Sequence, residues 1–299
     1  MSNALFLLLT LVILSSASAG GGINELYLLL LIALLELHSL GASILKAKNI
    51  VQIRDVTAIV FGILLLWQLL TVRLGVLDAF LFPYPEEILE LFADNIGEIF
   101  SGLGSSLVIL GSAYFLALAT AIPIGLLVGW QRRLYNAVHP ISKVMSAVPP
   151  IVYIPYAIAL LPTFRLASIL VIFIGAFWPI FVSTLNGTVQ FDKKMIDAAR
   201  MLHVRQHQML FRIILPGIMP QVLTGCSVGL IFSFILLTSA EMIGATSGIG
   251  WYVKYYSDFG DYGRVIVGII FIGMVVTAVM WLFERVQGYL LRWQEKSER

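Results

Sequence analysis

Residues 191–216 read FDKKMIDAARMLHVRQHQMLFRIILP and stand between two stretches that contain no charged residue, 166–185 and 222–240. The segment is too polar to cross a bilayer and too patterned for a slack loop. Met195, Ile196, Ala199 and Leu202 recur at helical spacing, and Asp192 and Asp197 lie toward the beginning, where the positive end of a helix dipole favours acids. Residues 204–214 read as a second short helix, ended by Pro216. Two short helices between two apolar runs predict a docking surface for another protein on one face of a membrane domain.

The flanking runs are two of six. Val56–Val72, Ser105–Trp130, Val144–Leu161, Leu166–Leu185, Val222–Ala240 and Val265–Phe283 are all free of charge, and a span needs roughly 20 apolar residues. Across the 299 residues, 59% are hydrophobic and 12% charged, with a mean hydropathy of +0.94, which sets the chain in lipid. Backbone groups in lipid must be satisfied within their own segment, so six such runs predict an all-α integral membrane bundle rather than a barrel. Ahead of them, Ala4–Ser18 and Leu26–Leu45 supply one or two further N-terminal helices. Ala17, Ser18 and Ala19 form a cleavage-like site without Lys or Arg before the apolar region, so a removed signal and an extra span both fit. The domain reading is an extension over 1–50 and a membrane domain over 51–299, with a cytoplasmic loop at 190–218.

Fifteen of the 19 Lys and Arg residues fall before the first of the six spans, between the second and third, between the fourth and fifth, and after the sixth. They include Lys46, Lys48 and Arg54 at the start and Arg285, Arg292, Lys296 and Arg299 at the end. The other loops hold only Arg73, Arg165, Lys254 and Arg264, with Asp78, Glu86, Glu87, Glu90, Asp94 and Glu98 crowding the first of them. Positive charge gathers on the cytoplasmic side, so residues 191–216 and the C-terminus are expected in the cytoplasm. Pro149, Pro150 and Pro155 each remove a helix donor from the third span, which is therefore kinked or broken, and broken backbone at that depth either packs in protein or lines a cavity. Ala113, Ala117, Ala121 and Gly125 line one face of the second span and admit a close neighbour.

Asp197-Ala198-Ala199, then His203, then Ile213-Ile214-Leu215-Pro216 resembles the EAA loop of ABC importer permeases, with the fixed positions spread over 20 residues. Leu81-Phe-Pro-Tyr-Pro85, Ala147–Pro155 and Ser239–Tyr252 are similar to the nitrate, sulfonate, taurine and bicarbonate group of those permeases. The likeness covers roughly Thr57 to the C-terminus. It implies the type I permease fold in a bacterial-type inner membrane, and a second permease copy as homodimer partner. It also implies ABC ATPase subunits docked on the loop and a soluble extracytoplasmic binding protein. The solute it implies is a small anion; permeases for neutral or heterocyclic vitamin precursors look alike. Two departures stand out: Asp197 replaces Glu and keeps its charge, and His203 replaces a Gly that serves a turn at positive φ. Val108 also stands where the group often has Arg.

The resemblance assigns ATPase coupling to Asp197, Ala198, Ala199, His203, Ile213, Leu215 and Pro216. Pathway or gating candidates are Pro149, Pro150 and Pro155, with Glu241 and Gly244 after the fifth span; Glu241 equally fits a helix-end carboxylate at the lipid boundary. Gly244, Gly248 and Gly250 suggest a bent re-entrant turn. None of the seven lysines follows a glycine, so no phosphate loop is present, and no catalytic site or cofactor is expected on this chain; ATP and Mg belong to partner subunits. His203 and His207 lie i,i+4 without a third ligand, and Cys226 has no partner for a disulfide, so no metal is expected. A net charge of +2 gives no footing for nucleic acid. Glu36 and His38 are the only ionisable pair in a span that an ion-coupled transporter would need, and a membrane scaffold leaves the loop spacing without a purpose.

Overall fold

A computed structural model describes residues 2–17, 24–44 and 50–292, and every regular element among them is helical. Ser18, Ala19, Lys46, Lys48, Lys296 and Arg299 lie outside the described residues. In chain order the helices are α1 (Ser2–Ala17), α2 (Asn24–Ile44), α3 (Ile50–Gln68), α4 (Pro85–Asp94), α5 (Ile96–Trp130), α6 (Arg132–Ala147) and α7 (Ile154–Leu160). They continue with α8 (Phe164–Gln190), α9 (Lys193–Met201), α10 (Gln206–Gln208), α11 (Leu215–Gly217), α12 (Met219–Gly244), α13 (Ile249–Asp258) and α14 (Tyr262–Leu290). Five of the segments are long and apolar enough to cross a membrane: 51–73, 96–130, 164–190, 219–244 and 262–290.

The third expected span is not one straight helix. The amphipathic α6 and the segment Pro150–Leu160 meet at an angle of 81°, and only as a bent pair do they make a sixth crossing. Val148 and Pro149 are both extended, with ψ near 120°, because each precedes a proline whose ring disfavours helical geometry in the residue before it. Pro150 then starts a 3₁₀ turn, Pro150–Tyr153, and Pro155 sits harmlessly in the first turn of α7.

The chain divides into two compact units, Met1–Phe100 with Val253–Ile270, and Ser101–Tyr252 with Phe271–Arg299. In the first, Leu9 and Ile13 of α1, Leu28 and Ile32 of α2 and Phe61 of α3 form a buried cluster, and the Phe6 and Phe61 rings stand 6.1 Å apart. The end of α3, which widens into a π turn over Leu69–Arg73, is tied to α4 by the buried Gln68, whose Nε2 donates to Glu86 Oε1 at 2.5 Å. Pro85 opens α4 at the position where a missing N–H costs nothing.

In the second unit α8 packs along α12, and small residues set the spacing: a Cβ on Gly225 would stand 2.5 Å from Ser183 Cβ and 2.9 Å from the Pro179 carbonyl. The small face of α5 behaves likewise. Ala113, Ala117 and Ala121 are fully buried, and Gly125 and Gly129 admit Thr184 and Thr188 of α8 so closely that a Cβ would lie within 3 Å of each. Cys226 is buried in this core, and its carbonyl accepts a hydrogen bond from the Tyr114 hydroxyl at 2.8 Å.

Candidate functional site

The loop between α8 and α12 is built on α9. Asp192 caps it, its carboxylate accepting from the Lys194 amide at 2.9 Å, which satisfies one of the donors a helix start leaves open. At the other end the His203 amide bonds to the Arg200 carbonyl at 2.9 Å and the Val204 amide to the Ala199 carbonyl at 3.2 Å. That pair of bonds is a Schellman motif, and it requires a left-handed residue at the position His203 occupies. His203 has φ of 57°, the one non-glycine residue at positive φ among those described.

The apolar residues of α9 divide between two faces. Ile196 and Ala199 turn into the core, with Ala199 6% exposed, whereas Met195, Met201 and Leu202 are 56, 81 and 79% exposed. The spacing at Met195 and Leu202 therefore does not mark the packed face, as the helical pattern alone suggests. Ala198 is exposed, and Asp197 beside it pairs with Arg200 at 3.4 Å in the open. The Arg200 guanidinium also lies 6.0 Å from the Trp130 ring at the end of α5, a contact with no signal in the motif.

Residues 204–216 depart from the expected single helix ended by Pro216. The chain forms α10, then a π turn over Met209–Ile214, then α11 with Pro216 in its first turn, and passes through Ile218 into α12. A proline cannot donate, and the wider i→i+5 bonding just ahead of it lets the helix continue. Met209, Leu210 and Ile214 are buried; Ile213 and Leu215 pack at the margin, and Pro216 is exposed. Phe191 lies against Gly217 so closely that a Cβ there would meet its ring, which clamps the two ends of the loop together.

A second constellation lies at the opposite end of α12. Glu241 is 1% exposed. Its Oε1 accepts from the Ser106 hydroxyl at 2.5 Å, its Oε2 from the Gly250 amide at 2.7 Å, and Ser106 Oγ accepts from the Ile249 amide at 3.0 Å. The carboxylate thus sits inside the protein, fastening the turn after α12 to α5. Gly248 has φ of 129°, and a Cβ on it would stand 2.5 Å from the Glu241 carboxyl group, so glycine is required twice over. Gly244 packs on Phe164, where a Cβ would come to 3.2 Å. The run of glycines pointed to this turn; its partner Ser106, some 135 residues earlier, had no local signal.

The break at Pro149 and Pro150 borders a cavity of about 240 Å³, walled by Ser146 and Pro150, by Trp178 and Ser183 of α8 and by Phe232 of α12. Neither Pro149 nor Pro155 is among its lining residues.

Residues 121–295 match the family described as binding-protein-dependent transport system inner membrane component. The putative aliphatic sulfonates transport permease protein SsuC of Bacillus subtilis is 30% identical over 241 residues, 79% of this chain and 86% of that protein. The nitrate import permease protein NrtB of Synechocystis is 31% identical over 192 residues (63% and 70%), and the taurine transport system permease protein TauC of Escherichia coli is 28% identical over 234 (76% and 84%). Among solved structures, a chain of the methionine ABC transporter MetNI in an inward-facing conformation superposes with a TM-score of 0.57 at 18% identity, covering 65% of this chain and 97% of that one.

Proposed function

This chain belongs to the binding-protein-dependent transport system inner membrane component family, the permeases of ABC importers, and from that membership we propose how it works and what it carries. ATPase subunits dock on α9 and the turn behind it, and closure of the ATPase pair moves α9 through Phe191 and Gly217 into α8 and α12. The permease acts as a homodimer in the inner membrane with its C-terminus in the cytoplasm. ATP and Mg are held by the ATPase subunits, and this chain holds no cofactor. The pathway runs beside the break at Pro149 and Pro150. α1 and α2, packed on Phe61 of α3, are extra membrane helices attached to a core that starts near residue 51.

The observation that carries this reading is the pair of faces on α9. Ile196 and Ala199 anchor it while Ala198, Met201 and Leu202 stand free on the outside, an apolar surface on a rigid, capped helix that calls for a partner. The solute is a small anion such as nitrate, bicarbonate or a sulfonate, by likeness to the relatives above. An ion-coupled mechanism has little to work with: on α2, Glu36 is buried and His38 exposed, so the two do not share a face.

The test is to co-purify the chain with its ATPase and binding protein into lipid vesicles and measure ATP hydrolysis with the binding protein loaded in turn with nitrate, bicarbonate, taurine, alkanesulfonates and neutral or heterocyclic vitamin precursors. Stimulation by one loaded anion supports the reading. Stimulation only by a neutral or heterocyclic compound overturns the anion assignment, and no stimulation by any loaded binding protein overturns the mechanism.

A further inference from the structure

We propose that the pocket at the end of α8 and α12 remote from α9 is a binding subsite for a small organic oxyanion, its acidic head held by Arg165 and its apolar part by Val108, Ile109 and Phe164. The proposal rests on the reading that this permease carries anions, and it names where on this chain such a solute binds. The pocket measures about 510 Å³, within the usual range for small-molecule sites. α8 begins at Phe164 and α12 finishes at Gly244, so the pocket sits on the side opposite the coupling loop, about 40 Å away by the length of α8.

The lining has two chemistries. Ser105, Thr246, Ser247 and Arg165 present hydroxyls and a planar guanidinium fork, which can engage two oxygens of a sulfonate or carboxylate at once. Val108, Ile109 and Phe164 present hydrocarbon. A bare inorganic anion leaves that hydrocarbon and most of the volume unused, whereas an organic anion fills both. Arg165 is exposed and takes part in none of the ion pairs among the described residues, so its charge is available. Glu241, the carboxylate of the adjoining turn, has both oxygens engaged by Ser106 and Gly250 and does not line the pocket. The walls are held in place: the Ser105 and Ser247 hydroxyls share a hydrogen bond of 3.2 Å that joins α5 to the turn after α12, and the Glu241 bonds fix the turn that carries Thr246 and Ser247. A Cβ on Gly104 would meet nothing, so that wall is open space rather than packed core.

The single cysteine, Cys226, is 3% exposed, so a second thiol can be read without background. In the full permease–ATPase complex, Ser247→Cys is reacted with a methanethiosulfonate carrying a sulfonate and, separately, with its trimethylammonium counterpart. The ratio of the two rates cancels any effect of Arg165 on the thiol itself. The sulfonate reagent is expected to react about tenfold faster than the cationic one, Arg165→Gln to remove most of that preference and Arg165→Lys to keep it. Millimolar butane-1-sulfonate is expected to slow labelling, and equal nitrate is not. Absence of a preference, a preference that survives Arg165→Gln, or no protection by butane-1-sulfonate overturns the subsite; equal protection by nitrate overturns its organic class. Labelling needs no transport, so this result stands apart from the ATP hydrolysis test, whose failure bears on the anion assignment or on the coupling mechanism.

Discussion

His203 closes α9 at a φ of 57°, where an L residue other than glycine carries roughly 1–2 kcal/mol of strain. His203→Gly relieves the side-chain clash and is expected to leave the complex as stable or about 1 kcal/mol more so, whereas His203→Val, branched at Cβ, is expected to destabilise it by at least as much; thermal denaturation of the purified complex, followed alongside ATP hydrolysis, separates the two. Glu241 makes the opposite case, a residue whose removal orphans others. Glu241→Ala leaves the Ser106 hydroxyl and the Gly250 amide without their acceptor, at a cost of about 1–3 kcal/mol each where no water replaces it, and is expected to lower the unfolding temperature more than Ser106→Ala. A smaller loss for Glu241→Ala than for Ser106→Ala contradicts the bonding described. The turn at His203 was legible in the sequence because a motif glycine is missing there and the geometry it serves is local. The Glu241 lock was half legible: the glycines announced a turn, but the hydroxyl that completes it comes from another helix, and single-residue reading has no access to a partner so distant.

Among the elements, the broken third span shows what counting charges does and does not reach. Charge-free runs locate the five long spans because lipid excludes charge along most of a crossing, but α6 carries Arg132, Arg133 and Lys143, so the apolar window began at Val144 and missed the amphipathic helix leading into the bend. The prolines did locate the break itself. Replacing Pro149 and Pro150 together with Ala frees Val148 and Pro149's position to become helical, and spin labels on the exposed Leu134 and Tyr156 are expected to move apart by roughly 5–8 Å as the 81° bend opens, with loss of transport. An unchanged distance assigns the bend to packing rather than to the prolines. The α8–α12 contact carries a plainer prediction. Gly225→Leu drives a side chain into Ser183 and the Pro179 carbonyl and is expected to cost 1–3 kcal/mol or more, seen as aggregation or an early thermal transition, while Thr224→Leu, one residue away and exposed, is tolerated. The same view explains why the π turn at Met209–Ile214 escaped notice. Pro216 reads as a helix end from sequence, and the i→i+5 bonding that carries the chain past it is a response of the backbone with no composition of its own.

For the whole molecule, the proposed mechanism carries a movement at α9 to the far ends of α8 and α12. The parts are suited to that: a capped helix with one face in the core, Phe191 clamped on Gly217, and two long helices in close contact along small residues. Family and fold were legible because the loop spacing and the apolar runs state the same arrangement; the solute was not, since neither the loop motif nor the apolar runs carry solute chemistry. The division between Ala198, exposed, and Ala199, buried, makes the decisive variant a surface one, because a charge at Ala199 disrupts packing whatever α9 does. The measurement is ATP hydrolysis by the reconstituted complex with loaded binding protein, comparing wild type with Ala198→Glu and Met201→Asp at unchanged folding and expression. Loss of at least about tenfold of the stimulated rate, with the permease still folded, is the result expected of a desolvated apolar contact given a buried charge; a stimulated rate equal to wild type in both variants contradicts the coupling role of α9.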